Sequence, residues 1–165
     1  MNNLKKLKWW KGAHGEWYVV IQVALAALVF LGPRTCVGWP DLLLPFADLC
    51  KLVGGSLMAA GGILLIGGMA WLGKRLTPLP FPKPETTLVE TGPYAFVRHP
   101  VYSGGILLSF GWAIMVRGWL TLVYAAVLLV FLDIKSRREE RWLVERFPSY
   151  QHYQRRVRKL IPFVY

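Results

Sequence analysis

Four long apolar runs organise this chain, separated by polar or basic connections. Trp17 to Gly32 is interrupted only by Gln22, and Leu52 to Gly73 carries no charge at all. Pro100 to Val116 and Gly118 to Ile134 follow as a pair, with Arg117 and Gly118 as a tight hairpin between them. A helix crossing a bilayer needs roughly 17 to 25 mainly apolar residues. The pattern therefore predicts an all-α integral membrane protein of about four transmembrane helices, at 17–32, 52–73, 100–116 and 118–134. The last run continues without a breaker into the charged stretch Lys135 to Arg146, which is expected to leave the bilayer as helix. Pro148 interrupts it, and a short helix from Tyr150 to Leu160 is expected to end at Pro162. Residues 135–165 thus form a cytoplasmic helical C-terminal extension, and 1–165 reads as a single domain.

Composition agrees with that pattern. Of the 165 residues, 55% are hydrophobic, and a mean hydropathy of +0.38 is too high for an ordinary soluble domain. With four spans both termini share a side. That side collects 17 of the 20 Lys and Arg residues, among them Lys5, Lys6, Lys8 and Lys11, while Arg34, Lys51 and Arg117 fall opposite. The positive-inside rule places both termini in the cytoplasm, with the membrane either a bacterial inner membrane or the endoplasmic reticulum. A cationic rim facing anionic headgroups accounts for the net charge of +11, so membrane lipids are the expected partners and nucleic acid is not. The first run lacks a small-residue cleavage site followed by a soluble domain, and is expected to be a span, not a signal peptide. Cys36 and Cys50 fall near the non-cytoplasmic face, where they either pair or remain free thiols. His14, His99 and His152 have no metal-ligand spacing to either cysteine, and no metal is expected.

The connections carry their own signals. Asn2 to Lys11, with Trp9 and Trp10, reads as a basic interfacial lead-in. Pro33, Pro40 and Pro45 mark 33–51 as a loop. Gly54-Gly55, Gly61-Gly62 and Gly67-Gly68 fall broadly on one helical face, bare enough for a second helix or a ligand to approach. Pro78, Pro80, Pro82 and Pro84 force an extended strap, either a plain linker or a lid over a bound molecule.

Two polar groups on the cytoplasmic side are candidates for chemistry. Pro100 suits the first turn of a helix, whose free N–H groups and dipole favour an anion. Arg98 and His99 sit at that point, flanked by the Gly92-Pro93-Tyr94 turn and by Tyr102-Ser103-Gly104-Gly105. The group therefore suits a carboxylate or phosphate, although an Arg-His pair at a membrane border also serves as a snorkelling anchor. Glu139 and Glu140 form the second group. Lys135 with Glu139 and Arg137 with Glu140 have the spacing of surface ion pairs. Yet both glutamates lie only about one to two turns past the membrane exit near Asp133, and the hairpin sets the last two spans side by side. The glutamates can then face Arg98 and His99 across a shared pocket, which suits a ligand bearing both an ammonium and a carboxylate, as an amino-acid headgroup does.

Gly92 to Gly104 resembles the signature of the isoprenylcysteine carboxyl methyltransferase and phospholipid methyltransferase families, which are integral membrane methyltransferases. Glu139-Glu140, Leu143, Phe147, Tyr150, Tyr153, Val157 and Ile161-Pro162 are similar to the same families' C-terminal pattern. The resemblance covers roughly the C-terminal half. It departs at Pro148, where a glycine is common, and at Lys159, where an arginine is common. It implies S-adenosylmethionine as cofactor, with Tyr94, Arg98, His99, Pro100 and Tyr102 lining its site and Glu139 and Glu140 holding its ammonium or ribose hydroxyls.

Methyl transfer to a carboxylate depends mainly on alignment and water exclusion. Arg146, on the same helix as Glu140, is the candidate to orient an acceptor carboxylate or phosphate by a forked hydrogen bond. For an amine acceptor, Glu140 or His99 would be the base. The expected function is methyl transfer to a lipophilic acceptor, an isoprenylcysteine carboxylate or another lipid, at the cytoplasmic face. The alternatives are an NADPH-dependent membrane reductase related to the sterol reductases and a non-catalytic lipid-binding scaffold.

Overall fold

The computed structural model describes residues 16–36, 38, 46–73, 87–161 and 165. The basic lead-in, residues 37 and 39–45 of the 33–51 connection, the prolines of the strap and Pro162 lie outside the described residues. Five α-helices follow in order: α1 Glu16–Leu31, α2 Ala47–Leu72, α3 Pro100–Met115, α4 Trp119–Arg146 and α5 Tyr150–Arg156. A 3-10 turn, Gly92–Ala95, precedes α3, and no strand occurs among the described residues.

α2 and α4, of 26 and 28 residues, are long and apolar enough to cross a membrane, while α1 and α3 are apolar helices of 16 residues each. Large aliphatic side chains point outward, with Ile63 75% and Leu52 69% exposed. An apolar exterior on this scale suits lipid, not water.

Backbone-to-backbone packing holds α2 against α3. A Cβ added at Gly61 would lie 2.8 Å from the Gly104 carbonyl oxygen, and one at Gly104 would lie 2.6 Å from that of Gly61. Gly54 and Gly111 repeat the arrangement at 2.6 and 2.7 Å, and Gly68 meets Pro100 Cγ at 3.1 Å. As residue numbers rise on α2 they fall on α3, so the two helices are antiparallel. Gly55 and Gly62 meet nothing within 4 Å. One glycine of each pair therefore serves the interface, and the bare face lies against a helix.

α1 joins through Val29, which packs with Leu128 and Leu132 of α4 and with Ile106 and Trp112 of α3. Cys36 is an exposed and Cys50 a buried free thiol. At the α3–α4 turn it is Arg117, at φ 51°, and not the adjacent glycine, that takes the left-handed conformation. Gly118 is needed for a different reason, since a Cβ there would fall 2.7 Å from the Arg34 carbonyl oxygen.

The last helix is shorter than its sequence predicts. α5 ends at Arg156, and Val157 turns extended. Val97 and Arg158 then form a parallel bridge, with Arg98 N donating to Arg158 O at 2.8 Å and His99 N to Lys159 O at 3.2 Å. The unpaired N–H groups ahead of α3 thus claim carbonyls that a longer α5 would have turned inward. A small cluster of Tyr150, Tyr153 and Val157, backed by Leu88, Leu143 and Phe147, anchors this segment to the end of α4.

Candidate active site

Arg98 and His99 sit between the 3-10 turn and α3, and Glu139 and Glu140 on the polar end of α4. The fold brings all four into direct contact. Glu140 Oε1 accepts from Arg98 Nε at 2.7 Å and from His99 Nε2 at 3.1 Å. Its Oε2 accepts from Gln154 Nε2 at 3.1 Å and from Arg98 Nη2 at 3.4 Å. Arg98 Nη1 donates to the carbonyls of Gln154, at 3.0 Å, and Val157.

Glu139 belongs to the other side of the same imidazole. Its Oε2 lies 3.6 Å from His99 Nδ1, and its Oε1 accepts from the Tyr102 hydroxyl at 2.5 Å. The His99 and Tyr102 rings stack with centroids 5.5 Å apart. Lys135, buried, sits 5.1 Å above the Tyr102 ring and donates to Gln22 Oε1 of α1 at 2.6 Å. A continuous polar layer therefore crosses α1, α3 and α4, from Gln22 to Arg98.

The two glutamates have opposite electrostatics. Burial pushes the Glu139 carboxyl above the ordinary range, and the His99 charge, the Tyr102 hydroxyl and Lys135 only partly offset that. Burial also works against the Glu140 carboxylate, but hydrogen bonds from His99 and Arg98, with their charges, outweigh it and bring the pKa down to about 2. Burial, with the Glu139 charge, raises the Tyr94 phenol to about 12.

Glu140 and Arg98 open onto a cleft of about 450 Å³, lined further by Arg137, Gln154, Arg158 and Lys159. That volume falls within the roughly 300–1,000 Å³ of small-molecule sites. On its rim Asp133 accepts from Lys159 Nζ at 2.6 Å, Arg137 Nε at 2.8 Å and the Tyr165 hydroxyl at 3.0 Å.

The structure thus gathers Arg98, His99, Tyr102, Glu139 and Glu140 from the residues that the sequence singles out. Tyr94 lies beside them; its hydroxyl donates to Gly68 O at 3.4 Å and its carbonyl accepts from Tyr153 OH at 2.5 Å. Pro100 is buried at the first position of α3, against Gly68. Arg146 does not line the cleft; it is exposed in the last turn of α4, with its guanidinium 5.9 Å above the Phe147 ring. The expected pocket between the basic and acidic pairs is closed by their own contact, and the open space lies beside it. Arg137 pairs with Asp133, not with Glu140.

Sequence reasoning missed Gln154, Arg158 and the carbonyls of the C-terminal segment. A buried arginine has five N–H groups to satisfy, which signals that acceptors must come from somewhere. Nothing local says that they come from a segment 56 to 59 residues away.

Comparison with known proteins gives this geometry a lineage. The family model described as phospholipid methyltransferase matches residues 49–149, which include all but the first two residues of α2, the whole of α3 and α4, and Arg98 and Glu140. The cobalt-zinc-cadmium resistance protein CzcN of Cupriavidus metallidurans is 29% identical over 90% of this chain and 62% of its own length. The protein-S-isoprenylcysteine O-methyltransferase of Saccharomyces cerevisiae is 32% identical over 70% of this chain and 50% of its own length. The chain therefore spans less than two-thirds of the length of either relative. A solved structure of a eukaryotic intramembrane Ras methyltransferase, an isoprenylcysteine carboxyl methyltransferase, shares the fold at a TM-score of 0.64 and 23% identity, over 92% of this chain and 54% of that one. With its family's pattern running through the three central helices and the charged cluster between them, the chain belongs to the phospholipid methyltransferase family.

Proposed function

We propose that this chain is an S-adenosylmethionine-dependent methyltransferase of the membrane, acting at the cytoplasmic face on a lipophilic acceptor such as an isoprenylcysteine carboxylate or another lipid. The observation that carries the reading is the single cluster formed by Arg98, His99, Glu139 and Glu140 beside a small-molecule cleft. Membership of a methyltransferase family supports it. In this reading α1 to α4 all cross the bilayer, both termini are cytoplasmic, and the end of α4 with α5 forms a cytoplasmic cap.

The residues present fit the cofactor. It bears an ammonium and a carboxylate, and the cleft offers a carboxylate at Glu140, a side-chain amide at Gln154 and a guanidinium at Arg98. When bound, S-adenosylmethionine supplies an electrophilic methyl group on its sulfonium. Glu140, fixed by Arg98 and His99, provides a permanent negative charge for the ammonium or ribose hydroxyls. Tyr94, Pro100 and Tyr102 back that site and keep water from it. For an acceptor with a proton to lose, Glu139 suits the base role better than Glu140, because burial raises its proton affinity while the donors around Glu140 lower that group's. Arg146, placed apart from the cluster, would reach an acceptor only at the membrane surface.

The test is calorimetric titration of the purified protein with S-adenosylmethionine, and with NADPH in parallel. Binding of the first alone, weakened at least about tenfold, or about 1.4 kcal/mol, by Glu140→Ala or His99→Ala in folded protein, is the expected result. Binding of NADPH alone would instead make the chain a reductase. Silence from both, with a cooperative thermal transition intact, would leave a lipid-binding scaffold.

A further inference from the structure

The cleft beside Glu140 holds more cation than its acids balance. Arg98 is matched by Glu140, and Arg137 and Lys159 share Asp133. Arg158 faces the same cleft, and its guanidinium has no hydrogen-bond or ion-pair partner among the described residues. Its backbone is nevertheless fixed. Arg158 pairs with Val97 in the parallel bridge, and its carbonyl accepts from Arg98 N at 2.8 Å. Val157 and Lys159 on either side are buried, at 5% and 6% exposure, so residues 157–159 are held in place. With the backbone clamped, only side-chain rotamer freedom is left to lose when the guanidinium binds. A planar fork of donors meets a carboxylate or phosphate in two parallel bonds.

We propose that Arg158 is the anion subsite of this cleft, taking the carboxylate or phosphate headgroup of a lipophilic ligand and so selecting acidic over neutral acceptors. That the ligand is a methyl acceptor rests on the methyl-transfer reading; the binding site itself stands on the cleft, the unmatched guanidinium and the clamped backbone of Arg158. Arg158 acts there as a specificity-determining residue. It lies one residue past Val157 O, which Arg98 grips, so the bound headgroup sits next to the Arg98–Glu140 pair. A carboxylate and a phosphate monoester both present anionic oxygens that such a fork can bind in pairs, the phosphate with the greater charge.

The experiment uses the full chain in phosphatidylcholine nanodiscs and measures equilibrium binding of two ligand pairs. One is an N-acetyl-S-farnesylcysteine with its neutral methyl ester; the other is farnesyl phosphate with farnesol. In each pair the apolar tail is kept while the anionic head is neutralised or removed. The wild-type protein should prefer the acid of at least one pair by about tenfold or more, the scale of one charge-assisted hydrogen-bonded contact. Arg158→Gln should bring that preference to within about twofold, and Arg158→Lys should restore part of it. The pair that responds identifies the headgroup. S-Adenosylmethionine titrated into Arg158→Gln should bind with unchanged affinity. No acid preference in the wild type, a preference that survives Arg158→Gln, or loss of cofactor affinity in that variant would each overturn the assignment. An Arg158-dependent acid preference in a protein that binds no S-adenosylmethionine would sink the methyltransferase reading and leave the anion subsite standing.

Discussion

Glu140 accepts from Arg98, His99 and Gln154, and the first two hold its carboxylate ionised against the cost of its burial. The consequence for stability has a definite sign. With the folded pKa at about 2 and the ordinary value at 4.5, the unfolded chain binds more protons at this site throughout the interval between them. Stability therefore rises with pH across that window, is fully present above the upper value, and is lost as pH falls through the lower one. The shift corresponds to about 3 kcal/mol. In detergent, the thermal midpoint of the wild type should fall between about pH 5 and pH 2 more steeply than that of Glu140→Gln; parallel profiles would mean that Glu140 is not held by these donors. Glu139 cannot substitute for it, because its neighbours offset only part of the burial cost. Adjacent and chemically identical in the sequence, the two are separated by which side of His99 they meet.

At the scale of elements, the glycine pairs of α2 show what a run of letters leaves open. Seven-residue spacing announces a helix that another helix can approach, and α3 does so. The sequence does not say which member of each pair is used, since adjacent residues differ by only about 100° around a helix of 3.6 residues per turn. Gly61→Ala should cost about 1–3 kcal/mol, because its methyl would press on the Gly104 carbonyl and the backbone at Leu108. Gly62→Ala, with open space around it, should be neutral or stabilise by up to about 1 kcal/mol. Thermal midpoints of the two variants measure the difference, and equal effects would contradict the α2–α3 interface. Glycine at 92 has a clear local reason: φ is +62°, and a Cβ would strike the Trp71 ring at 2.5 Å.

For the molecule as a whole, the charge asymmetry and the exposed aliphatic faces together orient the proposed topology. Cys36 is an exposed thiol on the α1–α2 connection, whereas Cys50 is buried. A membrane-impermeant maleimide should therefore label Cys36 from the non-cytoplasmic side of sealed, oriented membranes and leave Cys50 unmodified. Labelling from the cytoplasmic side alone would invert the orientation and place the cleft outside. The cap that closes the charged cluster comes from both ends of the second half of the chain. Ser103 Oγ donates to Leu160 O at 2.6 Å, and Arg98 reaches the Gln154 and Val157 carbonyls, so the charged end of the bundle is held together by the last segment.

The sequence by itself determined the helical class, the four apolar helices, the unbroken continuation of α4 to Arg146 and the pairing of the Arg98-His99 and Glu139-Glu140 segments. These follow from run length, composition and a short hairpin, all of them local quantities. Only the tertiary structure decided that those charges touch instead of facing each other across a gap. It also ended α5 at Arg156, left Arg146 out of the cleft lining, and supplied Gln154 and Arg158. The physical reason lies in hydrogen-bond satisfaction: the donors of Arg98 and His99 need acceptors. Which distant segment provides them depends on how α3, α4 and α5 pack, not on any pattern near residue 98.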